Sequence, residues 1–197
     1  MGGKAMNTIA DFFDTIADRW DELCTHDPDK INRILKQTSL HKGMRILDVG
    51  CGTGILEQFL LPYSPSMIVA IDISPLMIER AQSKYAVKNV DFRNIDVLDI
   101  NKEQFNYIIA YSVFPHFEHQ QEIIRHLAAL LLPEGELVIC HSEGRDKINA
   151  HHNQHASKLS FGLPSAQELA NWMKPYFDIQ TIHDTDQYYL VSGKRKL

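Results

Sequence analysis

The sequence predicts an α/β fold: a doubly wound, mostly parallel sheet with helices on both faces. Three observations lead there. Short apolar runs of strand character alternate with longer segments of helical periodicity, the order that builds parallel sheets through crossover helices. The first of those runs ends in closely spaced glycines and continues into helix-forming residues, a strand–turn–helix unit. The 197 residues, 44% hydrophobic and 23% charged, have an ordinary globular composition and room for one sizeable core. A single domain over residues 1–197 is expected.

Charge and cysteine usage narrow the function classes. The net charge is −5, and the cationic cluster Lys194-Arg195-Lys196 reads as a solvated tail, so no basic stripe offers a nucleic-acid surface. Cys24, Cys51 and Cys140 are odd in number, far apart and without Cys-x-x-Cys spacing, which points to reduced thiols. No run of about 18 apolar residues occurs and no signal-peptide pattern opens the chain. A cytoplasmic protein with no membrane and no nucleic-acid partner is the expectation, as monomer or homodimer.

Along the chain, Phe12, Phe13, Ile16, Ala17, Trp20 and Leu23 recur at three- and four-residue steps, so residues 7–24 read as an amphipathic helix. Thr25 to Asp29, with Pro28, breaks it. A second short helix runs through Ile31, Ile34 and Leu35. Residues 7–40 thus form an N-terminal helical cap ahead of the first strand, Met44 to Val49. That strand ends at Gly50, Gly52 and Gly54, and a helix start follows (Ile55 to Leu60). Glycines at such a turn permit positive φ and let the backbone approach a ligand where a Cβ would collide. A dinucleotide site would have its third glycine one position further on, where Ile55 stands. Asp48, just before the turn, would repel a phosphate and suits a cationic ligand.

Asp48-Val49-Gly50-Cys51-Gly52-Thr53-Gly54 resembles motif I of class I S-adenosylmethionine-dependent methyltransferases, whose cofactor carries an ammonium and a sulfonium and no phosphate. The resemblance implies a Rossmann-like, seven-stranded, mostly parallel sheet with an antiparallel last strand. It implies S-adenosylmethionine as cofactor, S-adenosylhomocysteine as product, and Asp48, Gly50, Cys51, Gly52 and Gly54 beside the cofactor. It extends back to Phe12–Asp21, which is similar to the N-terminal segment of small-molecule methyltransferases of the ubiquinone/menaquinone-like group. There that segment caps the cofactor cleft, so Phe13 and Trp20 are candidate substrate contacts, with core packing as the plainer alternative.

The next strand, Met67 to Ile73, ends at Asp72, about twenty residues beyond the turn, where an acidic residue can accept both ribose hydroxyls. The resemblance gives Asp72 that role, with Ile73 beside it. Ser74 is the N-cap of the following helix, residues 75–87, with Pro75 at its first position. A third strand, Val90 to Asn94, leads to Asn94-Ile95-Asp96-Val97-Leu98, which resembles the family segment around the adenine. Asp96 would accept the exocyclic amine, with Ile95 or Val97 packed on the ring.

A fourth strand, Asn106 to Tyr111, delivers Ser112 to Phe117 to the ligand-bearing edge, with Tyr111 at the cofactor. The Asn/Asp-Pro-Pro-Tyr/Phe pattern common in amine methyltransferases of nucleobases or glutamine is absent here, which lowers nucleic-acid and protein acceptors. His116 is a candidate base, since an ordinary imidazole takes a proton near neutral pH. A helix (Gln120 to Leu132), a turn (Leu131 to Glu136) and a fifth strand (Leu137 to Cys140) lead to His141. The segment 142–163 is polar and long, as lids are. If helical, it sets His151 and His155 on one face at i, i+4. Without the Glu of His-Glu-x-x-His or a cysteine pair, no metal is expected. Arg145 and Asn149 are candidates for acceptor recognition, and His141 and His152 stand behind His116 as candidate catalytic residues. A helix from Pro164-Ser165 and a hairpin, Phe177 to His183 with Tyr188 to Ser192, close the chain.

The expected function is in-line methyl transfer to a small-molecule acceptor. Two alternatives stand beside it: a protein that binds the donor without transferring the methyl, and an RNA or protein methyltransferase.

Overall fold

The computed structural model describes residues 9–155 and 159–197, the side chains of 153–155 excepted. Seven strands form one sheet in the order β3-β2-β1-β4-β5-β7-β6. They are β1 (Arg45–Val49), β2 (Met67–Asp72), β3 (Val90–Asn94), β4 (Phe105–Tyr111), β5 (Leu131–His141), β6 (Phe177–Asp184) and β7 (Tyr189–Arg195). The first five run parallel, and β7 lies antiparallel between β5 and β6. The chain reverses its direction of winding between β1 and β4, where open α/β sheets bind ligands.

The parallel strands are buried on both faces. Leu47, Val49, Val69, Ile71 and Ile108 point one way, toward helices α6 (Gln120–Leu130) and α8 (Ala166–Met173). Ile46, Ile68, Ala70, Tyr107 and Ile109 point the other way, toward α3 (Pro28–Leu35), α4 (Glu57–Leu60) and α5 (Pro75–Lys84). The alternation within each strand puts one core on each side of the sheet.

Several element boundaries differ from the sequence reading, each for a local reason. The helix expected over 7–24 is two helices, α1 (Ile9–Ile16) and α2 (Trp20–Leu23), joined by a 3₁₀ turn; its residues 7–8 lie outside the described residues. The break expected over Thr25 to Asp29 ends earlier, with Pro28 the first residue of α3, because Asp27 caps the helix by accepting from the Asp29 and Lys30 amides. The helix after the glycine turn begins only at Glu57, since Gly50, Gly52 and Gly54 all hold positive φ and postpone regular helix. Helix α5 stops at Lys84. The turn expected over 131–136 belongs to β5: Leu131 pairs with Phe105, the chain bulges through Glu134 at φ 64°, and pairing resumes at Glu136 opposite Tyr107. Of 142–163, residues Arg145–His155 form α7.

The N-terminal helices are pinned along α5 and the glycine turn by acidic side chains. Asp14 accepts from Ser74 Oγ at 2.5 Å and the Leu76 amide at 3.2 Å. Asp18 pairs with Arg80, and Asp21 with Lys84 while accepting from Thr53 Oγ1 at 2.5 Å. Among the described residues no helix is long and apolar enough to cross a membrane.

Candidate active site

A cavity of about 390 Å³ lies at the carboxyl ends of β1, β2 and β4, within the size range of small-molecule sites. The turn Gly50-Cys51-Gly52 forms part of its wall. A Cβ on Gly50 would come within 2.4 Å of Val113 Cγ2, so the backbone approaches the β4 end as only glycine permits. Asp72 fixes the turn from the next strand: its carboxylate accepts the Gly52 amide at 2.9 Å and the Ser74 amide at 2.8 Å. Burial raises the Asp72 pKa, against the pull of the Ser74 and Gly52 amides.

The sequence candidates divide into two groups. Gly50, Cys51, Gly52, Asp72, Ile73, Asp96, Val97, Tyr111, Phe13, Trp20 and His116 all line the cavity, brought there from four strand ends and the N-terminal cap. Asp96 accepts the Leu98 amide at 2.9 Å and so starts the 3₁₀ turn Val97–Asp99. Phe13 packs edge-on against both Trp20 and His116. His116 Nδ1 lies 2.7 Å from the Leu159 carbonyl. A carbonyl only accepts, so Nδ1 carries the proton and Nε2 is the basic nitrogen. Burial lowers the His116 pKa and keeps the ring neutral.

The second group does not line the cavity. Asp48 lies buried just before the turn, and Gly54 closes the turn on the side away from the cavity, where a Cβ would meet Tyr85. His152 sits behind His116, ring centroids 5.0 Å apart, with its Nδ1 2.9 Å from Ser160 Oγ. Burial, and then the neighbouring His116, bring its pKa down to about 4. His141 is buried against Tyr189, and desolvation brings its pKa down to about 3; it has no access to the cavity to serve as a base there. Arg145 pairs with Asp146 and Asp184, and Asn149 exchanges hydrogen bonds with the Leu163 backbone. Both tie α7 to its neighbours and neither reaches the cavity. His155 lies outside the described side chains, and among the described residues no group of His, Cys, Asp or Glu is arranged to hold a metal.

Sequence reasoning missed His26, which lines the cavity with Nδ1 2.7 Å from the Tyr111 hydroxyl. It stands in the break between two helices, and no motif marks it. It also missed Glu57, fully buried at the start of α4. The available signal was a lone acid at a position flanked by Leu56 and Leu60, which both face the core.

The donor set of the cavity is selective. Asp72, Asp96 and Glu118 line it, while no lysine or arginine does among the described residues. The rest is largely aliphatic and aromatic. Such a wall disfavours phosphate and suits a compact cation with an apolar body. The glycine cradle, the lining carboxylates and the lack of lysine or arginine among the described lining residues together fit an adenosyl sulfonium.

Comparison with known proteins agrees. A family model described as a methyltransferase domain matches residues 18–183. An uncharacterized methyltransferase of Schizosaccharomyces pombe is 30% identical over 70% of this chain and 51% of its own length. The ubiquinone biosynthesis O-methyltransferase of Coxiella burnetii is 28% identical over 66% of this chain and 58% of its own. The chain therefore spans about half the length of the curated relatives it matches. The N-methyltransferase NodS of Bradyrhizobium japonicum, solved with S-adenosyl-L-homocysteine, superposes with a TM-score of 0.73 at 16% identity, covering 96% of this chain and 99% of that one.

Proposed function

The chain belongs to the methyltransferase-domain family, and on that premise we propose that it transfers a methyl group from S-adenosylmethionine to a small-molecule acceptor. The observation that carries this reading is the cavity wall: a glycine turn and the carboxylates Asp72, Asp96 and Glu118, with no lysine or arginine among the described lining residues. In this reading Asp72 takes the ribose hydroxyls, and Asp96 the adenine amine between Ile95 and Val97. Gly50, Cys51 and Gly52 admit the methionyl part, with Gly54 shaping the turn and Ile73 and Tyr111 beside the cofactor. Asp48 supplies negative charge from below.

When bound, the cofactor supplies an electrophilic methyl group on a positively charged sulfur. The chain's own work is then positional. Holding two reactants in line is worth up to about 7–11 kcal/mol in well-oriented cases. Phe13, Trp20 and Phe117 wall the acceptor side and exclude water, which favours a reaction in which charge is lost. An acceptor that arrives protonated needs a base, and His116 Nε2 offers a lone pair within the cavity wall. The size of the cavity and the net charge of −5 favour a small molecule over a nucleic acid.

The test is a screen of small phenols, amines, thiols and carboxylates incubated with protein and S-adenosylmethionine, read as S-adenosylhomocysteine formed. Turnover with at least one class is the expected result. A protein that binds the donor but turns over none of them is a binding protein, not a transferase for small acceptors.

A further inference from the structure

Beside the glycine turn the structure buries two carboxylates, Asp48 and Glu57, whose proton chemistry the site description leaves unused. Asp48 is the penultimate residue of β1 and Glu57 opens α4; the turn that lines the cavity runs between them. Asp48 is 1% exposed and Glu57 is fully buried. Asp48 Oδ2 and both Glu57 carboxyl oxygens have no hydrogen-bond partner among the described residues. A buried carboxylate so placed is costly when ionised, and two that feel each other cannot both ionise cheaply.

We propose that Asp48 and Glu57 act as one proton-holding pair that gives up a proton to solvent when the cationic methyl donor occupies the cavity above, favouring the donor over its spent thioether. This rests on the methyl-donor reading of the cavity.

The surroundings of the pair decide the sign. Facing it are Asp72 from β2, the Cys51 thiol in the turn, the buried Cys140 thiol from β5, and Lys84 and Tyr85 at the end of α5. Lys84 is the cation among them, and it is already paired with Asp21. Negative charge is therefore undercompensated at the cavity floor. Burial pushes the Glu57 carboxyl up to about 7, and burial, then Glu57, then Asp72 raise Asp48 as well. The two titrate as a unit, with one proton exchangeable near neutral pH. Cys51 couples the pair to the ligand, because it lines the cavity and its thiol is raised by burial, by Glu57 and by Asp48.

A positive sulfur in the cavity stabilises the ionised form of the pair, so binding expels the proton. The spent thioether has lost that charge and keeps only its ammonium, so it expels less. Affinity for the donor must then rise with pH by up to about tenfold per unit below the titration of the pair, and affinity for the thioether must rise less steeply.

The experiment is isothermal calorimetry of the purified chain with S-adenosylmethionine and with S-adenosylhomocysteine, each at pH 7 in two buffers of different ionisation enthalpy. A donor heat that depends on buffer by up to about half a released proton, the share that a pair titrating near 7 still holds at pH 7, against a smaller dependence for the thioether, is the expected result. Equal dependence for the two ligands, or none, overturns the proposal while leaving the binding reading intact. No heat with either ligand sinks the binding reading itself, and this inference with it. Glu57→Gln, which keeps the shape and removes the exchangeable proton, should abolish the difference between the ligands; a difference that persists in it also overturns the pair. If that variant does not fold, the wild-type measurement still decides.

Discussion

His26 Nδ1 sits 2.7 Å from the hydroxyl of Tyr111, which donates in turn to Ser142 Oγ at 2.8 Å. The hydroxyl proton is directed at Ser142, so Nδ1 must be the donor to the tyrosine oxygen, leaving Nε2 as the lone-pair nitrogen. The chain of bonds ties the N-terminal cap to the ends of β4 and β5 across the wall of the cavity. Tyr111→Phe breaks it at both ends and leaves the buried Ser142 hydroxyl without this partner. A loss of about 1–3 kcal/mol in stability is expected, read as a lower urea midpoint at unchanged slope. An unfolding curve identical to wild type would mean the relay contributes nothing.

Asp72 accepts two amides and lines the cavity, so it serves both the turn and the ligand. Asp72→Ala should weaken S-adenosylmethionine binding by about 1.5–3 kcal/mol, the range for hydrogen bonds to a charged group, or roughly 10- to 150-fold. Calorimetry checks it. Unchanged affinity removes Asp72 from the site.

Gly50 has φ 69°, and its missing Cβ leaves room for Val113. Gly50→Ala combines a left-handed backbone cost of about 1–2 kcal/mol with overpacking of about 1–3 kcal/mol. A lower melting temperature is expected, and Val113→Ala in the same chain should restore only the packing part. Full recovery in the double variant would show that backbone strain plays no part.

His141 gives a pH prediction with a definite sign. Its folded pKa, about 3, lies below the ordinary 6.5, so the unfolded chain binds the proton first as pH falls. Stability from this residue is intact above about pH 6.5 and is lost progressively from there down toward pH 3. The buried carboxylates Asp48, Glu57 and Asp72 work the other way, their raised values costing stability as pH rises. Comparing wild type with His141→Leu isolates the histidine. Between pH 7 and pH 4.5 the balance should move toward the variant by about 2–3 kcal/mol, since each pKa unit corresponds to about 1.4 kcal/mol. A pH-independent difference in urea midpoints would contradict the assignment.

Much of this was legible in the residues themselves. The buried strands announce themselves as apolar runs, and Val90–Asn94 has the expected bounds because turn-forming residues flank it. Most residues expected beside the cofactor line the cavity because each sits at or just after the carboxyl end of a parallel strand, and those ends share one edge of the sheet. The placement of the histidines and of α7 was harder to read. His116 and His141 both stand near strand ends and look alike as text, yet one lines the cavity and the other is buried at the end of β5, paired with Tyr189 of β7. His26 reaches the site only through the packing of the cap against β4, a contact 85 residues apart in sequence. Arg145 and Asn149 read as ligand contacts because they are polar, and the fold uses both for internal bonds.

The central claim is that the cavity takes a positively charged adenosyl donor and not a phosphate-bearing nucleotide. The most direct measurement is the melting temperature of the purified chain with S-adenosylmethionine, with S-adenosylhomocysteine and with NAD, each at millimolar concentration. A ligand at 100 times its dissociation constant stabilises by about 2.7 kcal/mol. The account predicts a clear rise with both adenosyl ligands and none with NAD. No rise with the sulfonium or its thioether, or an equal rise with NAD, would contradict it.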